Sequence, residues 1–251
     1  MTTTTVIPMP PARPAGPPTL SPGVLRSEQR ATLTASRGRP NIVVFVLNLT
    51  ITVLYGRRPS LQKFLVLEHL AQVPYRSWER IAQRRIARTR GRSSLARRIQ
   101  ERVEDARAQQ DNEQWHMLVL EDLLAGHGRR LGLLRHRLVP RMMAAPWQLA
   151  TWLLHLVKPR WSYMLNAAFE SHAEHQYMSY VAAHPELEDE PFTSELADRF
   201  DHPVSVADVL RQIGHDERCH RRDSIAAARG EQAPPIDLRA RRHDEPLDAA
   251  A

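Results

Sequence analysis

One cysteine, Cys219, stands in 251 residues. That excludes a disulfide framework and any zinc site built on several thiolates. Lysine is nearly missing: Lys63 and Lys158 are the only two, and arginine supplies the other cations behind a net charge of +7. A positive balance suits nucleic acid, an anionic membrane surface or acidic substrates without choosing among them. No apolar run reaches the roughly 18 residues of a spanning helix, so none is expected. A charged segment followed by a clean apolar stretch is missing at the N-terminus, so no secretory signal is expected either. Residues 1–27 hold no acidic residue, as in a transit peptide, but their proline density argues against the amphipathic helix such a peptide needs.

What remains is organised as one helical domain between two tails. Residues 1–40 are rich in Thr and Pro, with seven prolines from Pro8 to Pro22, and read as a disordered or extended tail. Residues 230–251, with Pro234-Pro235, read as a second one. Between them, residues 41–229 carry helical patterns over 60–88, 94–124, 135–157, 160–183 and 205–229, punctuated by Gly91, Gly126, Gly128, Pro140, Pro159 and Pro203. Residues 41–55 (NIVVFVLNLTITVLY) are rich in β-branched side chains. They read either as a strand or as an amphipathic segment lying on a membrane. The stretch MMAAPWQLATWLLHLV, residues 142–157, is too short to span a bilayer. Its two tryptophans and its flanking cations Arg129, Arg130, Arg135, Arg137, Arg141, Lys158 and Arg160 suit a helix lying in the membrane interface. A buried helix or a dimer face is the alternative.

Four glutamates fall where a helix meant for a core does not want them: Glu68 in FLVLEHL, Glu113 in EQWHMLVL, Glu170 in LNAAFESHAEHQY and Glu217 in IGHDERCH. An ionised carboxylate buried without a partner costs several kcal/mol, and a cation removes that cost. Glu113 with His116 and Glu217 with His220 form Glu-x-x-His pairs, which place both side chains on one helix face. The order is Glu, Glu-x-x-His, Glu, Glu-x-x-His, with separations of 113−68 = 45, 170−113 = 57 and 217−170 = 47 residues, each about a long helix plus a connection. Di-iron and di-manganese carboxylate helix bundles have this donor order. Mixed oxygen and nitrogen donors suit iron or manganese better than a closed zinc site. The expected fold is therefore all-α, a ferritin-like four-helix bundle with a di-metal centre and one or two added interfacial helices.

From about Tyr55 to Ile225 the chain resembles the alternative oxidases, a di-iron carboxylate family of cyanide-insensitive quinol oxidases. The resemblance rests on Leu67-Glu68-His69 with Val73-Pro74, on Asn112-Glu113-Gln114-Trp115-His116-Met117, on Phe169-Glu170-Ser171-His172-Ala173 and on Asp216-Glu217-Arg218-Cys219-His220-Arg221. It implies two iron ions held by Glu68, Glu113, His116, Glu170, Glu217 and His220, with Glu68 and Glu170 as the bridges. It implies a catalytic Tyr177, seven residues after Glu170, as a donor of an electron and a proton during O–O cleavage. Asn112 and Asp216 would orient the ligand histidines. Lys63, Leu67, Phe169 and Ala173 fall at the family's quinol pocket, and His172 and His175 are candidates for proton relay.

The implied function is reduction of O2 to water by quinol at a membrane surface, in a homodimer. The bias to arginine suits GC-rich bacterial coding, hence the cytoplasmic face of an inner membrane; the matrix side of a mitochondrial inner membrane is the other address. The sequence departs from the family at His69, Ser171, His172, Gly214-His215 and Phe200, around the ligands rather than at them. That keeps two alternatives open: a di-iron oxygenase or desaturase on the same scaffold, or a non-enzymatic, basic, membrane-binding helical protein. Arg80–Arg98 holds eight arginines, but without interleaved aromatics it points to solvent or lipid headgroups rather than nucleic acid.

Overall fold

The computed structural model of this chain describes residues 19–35, 41–89, 92–129, 132–200, 202 and 204–231. Among these residues there are seven α-helices and no strand: α1 (Pro22–Thr34), α2 (Ile42–Tyr55), α3 (Leu61–Ile86), α4 (Ser93–Gly126), α5 (Val139–Val157), α6 (Pro159–Ala183) and α7 (Val206–Arg229). The protein is all-α, and the five helices read from the sequence recur with ends shifted by a few residues. The expected tails over 1–18 and 232–251, the segment 36–40, the breakers Gly91 and Pro203, and Arg130 lie outside the described residues.

Local chemistry explains the boundaries. The Asn41 side chain accepts from the amides of Val43 and Val44 to start α2, Ser60 from that of Lys63 to start α3, and Ser205 from that of Asp208 to start α7. Gly230 ends α7 in the left-handed conformation, at φ 78°. Pro74 lies inside α3 and removes the amide that would bond the Leu70 carbonyl. The Trp147 indole of α5 takes that carbonyl instead, at 3.2 Å, so the break in one helix becomes the anchor of another.

Two expectations change. Residues 22–34, counted with the N-terminal tail, form α1. Its stripe Leu25, Gln29 and Thr32 is buried against α6 and α7. Burying a leucine contributes about 1.5–3 kcal/mol, and the partners of α1 described below add to it. Residues 42–55 are helix, not strand. Val44, Ile51 and Tyr55 repeat at helical spacing on the buried side, and that packing overrides β propensity.

Helices α3, α4, α6 and α7 enclose the centre, with α6 packed most extensively on α7 and α3 on α4. Gly214 lets α6 and α7 approach: a Cβ there would sit 2.9 Å from Met178 Cε and 3.3 Å from Tyr177 Cβ. Helix α5 lies across α3, its inward stripe being Trp147, Thr151 and His155. Its outward residues Met142, Leu149, Leu153, Leu156 and Val157 are exposed, as are Ile42, Phe45, Val46, Leu49 and Val53 of α2. Among the described residues no helix is long and apolar enough to cross a membrane.

Candidate metal centre

The inward faces of α3, α4, α6 and α7 bring Glu68, Glu113, His116, Glu170, Glu217 and His220 together, all at 0–1% exposure. Their donor atoms form two overlapping groups, each within 4.8 Å: Glu68, Glu113, His116 and Glu217 in one, Glu113, Glu170, Glu217 and His220 in the other. Glu113 and Glu217 belong to both groups, whereas Glu68 and Glu170 each belong to one. The resemblance gives the bridges to Glu68 and Glu170; were two cations bound, Glu113 and Glu217 would be the carboxylates within reach of both. The reason is geometric: the α4 and α7 carboxylates lie between the two histidines, and those of α3 and α6 lie outside them.

Both histidines turn Nδ1 inward. His116 Nδ1 lies 3.1 Å from Glu68 Oε2, 3.2 Å from Glu217 Oε1 and 3.5 Å from Glu113 Oε2. His220 Nδ1 lies 2.6 Å from Glu113 Oε1 and 3.9 Å from Glu217 Oε2. The outward nitrogens are held from behind. Asp216 Oδ2 is 3.1 Å from His116 Nε2, which favours a proton there and leaves the Nδ1 lone pair to the centre. The Asn112 amide nitrogen lies 3.1 Å from His116 Nε2, 3.3 Å from His220 Nε2 and 3.2 Å from Asp216 Oδ2. Arg199 donates to Asn112 Oδ1 at 2.9 Å and pairs with Asp216, and Gln212 donates to Asp216 Oδ1 at 2.7 Å.

The donor set fits a pair of cations. Buried polar atoms are nearly always satisfied by hydrogen bonds, and buried charges are paired or bound to metal. Here both oxygens of Glu113, both of Glu217, Oε2 of Glu170 and Nδ1 of His220 are buried without a hydrogen bond. The short approach of Glu113 Oε1 to His220 Nδ1 is thus a contact of converging donors rather than an aligned bond. Electrostatics carries the same strain. Burial first, then the Glu113 charge, raises Glu68 to about 8 and Glu170 to about 7, and Glu217 rises well above the carboxylate range. Burial opposes ionisation of Glu113 too, but His220 and His116 outweigh it and hold its carboxyl low. Burial opposes the charged form of His220 likewise, yet Glu113 brings it to about 9. So many like charges within one dry space need positive charge to keep them there.

Tyr177 donates to Glu68 Oε1. Burial, with the Glu68 charge second, raises its pKa well above that of a free phenol. The four residues expected at a quinol pocket are buried. Lys63 donates to the Gly56 carbonyl at 2.8 Å, while Leu67, Phe169 and Ala173 are 5%, 2% and 1% exposed within the core. His172 and His175 are half-buried on α6. Cys219 is half-buried with its thiol 3.5 Å from His215, outside both donor groups.

Sequence reasoning passed over Tyr75. Fully buried on α3, it donates to Glu170 Oε1 at 2.8 Å, and Asn166 donates to the same oxygen at 2.9 Å. A signal was present: Tyr75 follows Glu68 by 75−68 = 7 residues, as Tyr177 follows Glu170 by 177−170 = 7. Two helical turns separate each pair, so both tyrosines face inward. Each reaches across to the other helix's glutamate. Matched against models of known protein families and against curated proteins, the chain gives no match.

Proposed function

We propose that this protein is a membrane-associated di-iron quinol oxidase that reduces O2 to water. The observation that carries this reading is the pair of overlapping, fully buried donor groups sharing Glu113 and Glu217. On this reading α3, α4, α6 and α7 are a ferritin-like four-helix bundle, and α2 and α5 lie on the membrane, probed further below. A homodimer at the cytoplasmic face of a bacterial inner membrane belongs to the same reading.

Two quinols supply four electrons and four protons, and O2 takes them up as two waters. Two ferrous ions, when bound, would supply the coordination positions and one-electron chemistry that dioxygen reduction requires. The protein's residues do the rest. Glu113 and Glu217, which belong to both donor groups, would hold both ions. Asp216, itself held by Asn112, Arg199 and Gln212, keeps the His116 imidazole with Nδ1 inward. Tyr177, bonded to Glu68, would give an electron and a proton as the O–O bond is cleaved. The apolar side chains around the cluster exclude water.

Oxygen uptake by membranes containing the protein, driven by added quinol with cyanide present, tests this. Uptake should persist in cyanide and vanish in Glu113→Ala, with helical content unchanged. Full activity in that variant would overturn the site assignment. A second reading, an oxygenase on the same scaffold, is favoured by one observation: Lys63 bonds the Gly56 carbonyl, and its three expected pocket partners are packed in the core. Substrate-dependent incorporation of oxygen without quinol turnover would mark it.

A further inference from the structure

Two buried tyrosines, Tyr177 and Tyr75, donate hydrogen bonds to glutamates of the centre. Tyr177 stacks on Phe64 at 4.3 Å, and Phe64 stands 5.2 Å from Tyr180. A phenylalanine ring resists oxidation, so this line of rings stops at its first member. The line from Tyr75 is different. Its hydroxyl bonds Glu170, and its ring stands edge-on to His220 at 5.9 Å. On its outer side Tyr75 meets Trp78 edge-on at 5.2 Å, and Trp78 meets Tyr163 at 4.5 Å. Tyr75, Trp78 and Ala106 form a small apolar cluster apart from the main core, with half-buried Tyr163 packed against it. The Trp78 indole is fixed by donating to Ser162 Oγ at 2.9 Å, buried on both sides. Every ring between the centre and the surface along this line is oxidisable, and each touches the next.

We infer that Tyr75, Trp78 and Tyr163 form a path for single electrons between the protein surface and the metal centre. The inference rests on the reading of the site as an O2-reducing centre. In each passage Tyr75 gives one electron to the dioxygen undergoing reduction, its phenolic proton moving along the hydrogen bond to Glu170. Trp78 returns an electron to Tyr75, whose proton moves back, and Tyr163 returns one to Trp78. Tyr163 ends one electron short, its phenolic proton lost to solvent, and a one-electron reductant in solution restores it. The path works when quinol is absent or supplies electrons out of step. It keeps oxidising equivalents away from the ligands and spends them at the surface.

The full chain, loaded with ferrous ions without oxygen and then exposed to O2 without quinol, tests the path. Paramagnetic resonance should detect a tyrosyl or tryptophanyl radical, and peptide mass analysis should find oxidation at Trp78 and Tyr163. Tyr75→Phe and Trp78→Phe should both lose the oxidation at Tyr163, Tyr177→Phe should keep the oxidation at Trp78 and Tyr163, and Trp78→Tyr should restore transfer to Tyr163. Trp78 touches no ligand, so Trp78→Phe carries the test even where Tyr75→Phe disturbs iron binding. Equal oxidation of Tyr163 in Trp78→Phe overturns the path. So does bound iron that is oxidised by O2 with no radical and no modified ring in the parent chain. Failure to bind iron at all overturns the reading of the site, and the path with it, and iron content separates that result from the others.

Discussion

Glu113 and Glu217 carry more of the site than any other side chain, because each touches both donor groups. Removing one withdraws charge and two oxygens from between the histidines, whereas removing Glu68 or Glu170 empties one side only. Asp216 acts through His116. Replacing it with Asn keeps the size and removes the charge that favours the proton on His116 Nε2, and loss of such a partner typically lowers metal affinity by about 10–100-fold. Competition titration of Asp216→Asn with a ferrous chelator should show a loss of that order, with the fold intact by circular dichroism. Unchanged affinity would mean that Asp216 does not orient the imidazole. The ligands were legible because a glutamate inside an apolar helical run demands an explanation. Their grouping was not, because which carboxylates belong to both donor groups depends on how four helices are set against one another, which spacing along one chain does not encode. Tyr75 was passed over, although its spacing from Glu68 matches that of Tyr177 from Glu170, and its partner on α6 makes its place plain.

At the scale of elements, the contact of α6 with α7 depends on Gly214. Alanine there gains about 1 kcal/mol of helix propensity and meets the flexible end of Met178. Valine has no such room. Overpacking of this kind costs about 1–3 kcal/mol, so Gly214→Val should melt several degrees lower, and Gly214→Ala near the parent, in thermal unfolding.

Helix α1 is held by charge as well as by Leu25. Glu28 is bonded by Arg218, which also reaches Thr32 and Glu174; Arg211 bonds Gln29 and Glu188, and Arg26 pairs with Glu188. The His215 imidazole, 3.6 Å away, then the charges of Arg218 and Arg222, hold Glu28 below its ordinary value against the cost of burial. Arg211 first, with Arg26, does the same for Glu188. A carboxylate with a depressed folded pKa stabilises fully above its unfolded value, 4.5 here, and loses that contribution as pH falls through the folded value. Amide exchange over 22–34, corrected for its intrinsic pH dependence, should thus lose protection in acid before α3 does. Equal loss in both would show that α1 does not detach on its own. This helix was hidden in the sequence by the prolines before it. Its partners lie 142–190 residues away and leave no local pattern.

For the whole molecule, α2 and α5 present apolar side chains to the outside, rimmed by Arg57, Arg58, Arg141 and Lys158. An interfacial helix gains from buried apolar area and from cationic attraction to anionic lipid. Leu149→Glu with Leu153→Glu should abolish co-sedimentation with anionic vesicles while leaving the melting temperature nearly unchanged, because both side chains are exposed. The helical architecture was readable from the sequence because long stretches of regular apolar spacing lie between clear breakers. The strand reading of α2 failed because its inward spacing, Val44 to Ile51 to Tyr55, is diluted by apolar residues on its outer face.

The central claim is that one buried cluster holds two metal ions. Iron content of the full chain, reconstituted with ferrous ions without oxygen and freed of excess metal, tests it most directly. The account predicts about two iron ions per chain, as in carboxylate-bridged helix bundles, with a marked loss in Glu113→Ala and in Glu217→Ala and none in Cys219→Ser. A parent chain that retains no iron, or a Glu113→Ala variant that retains as much as the parent, would contradict it.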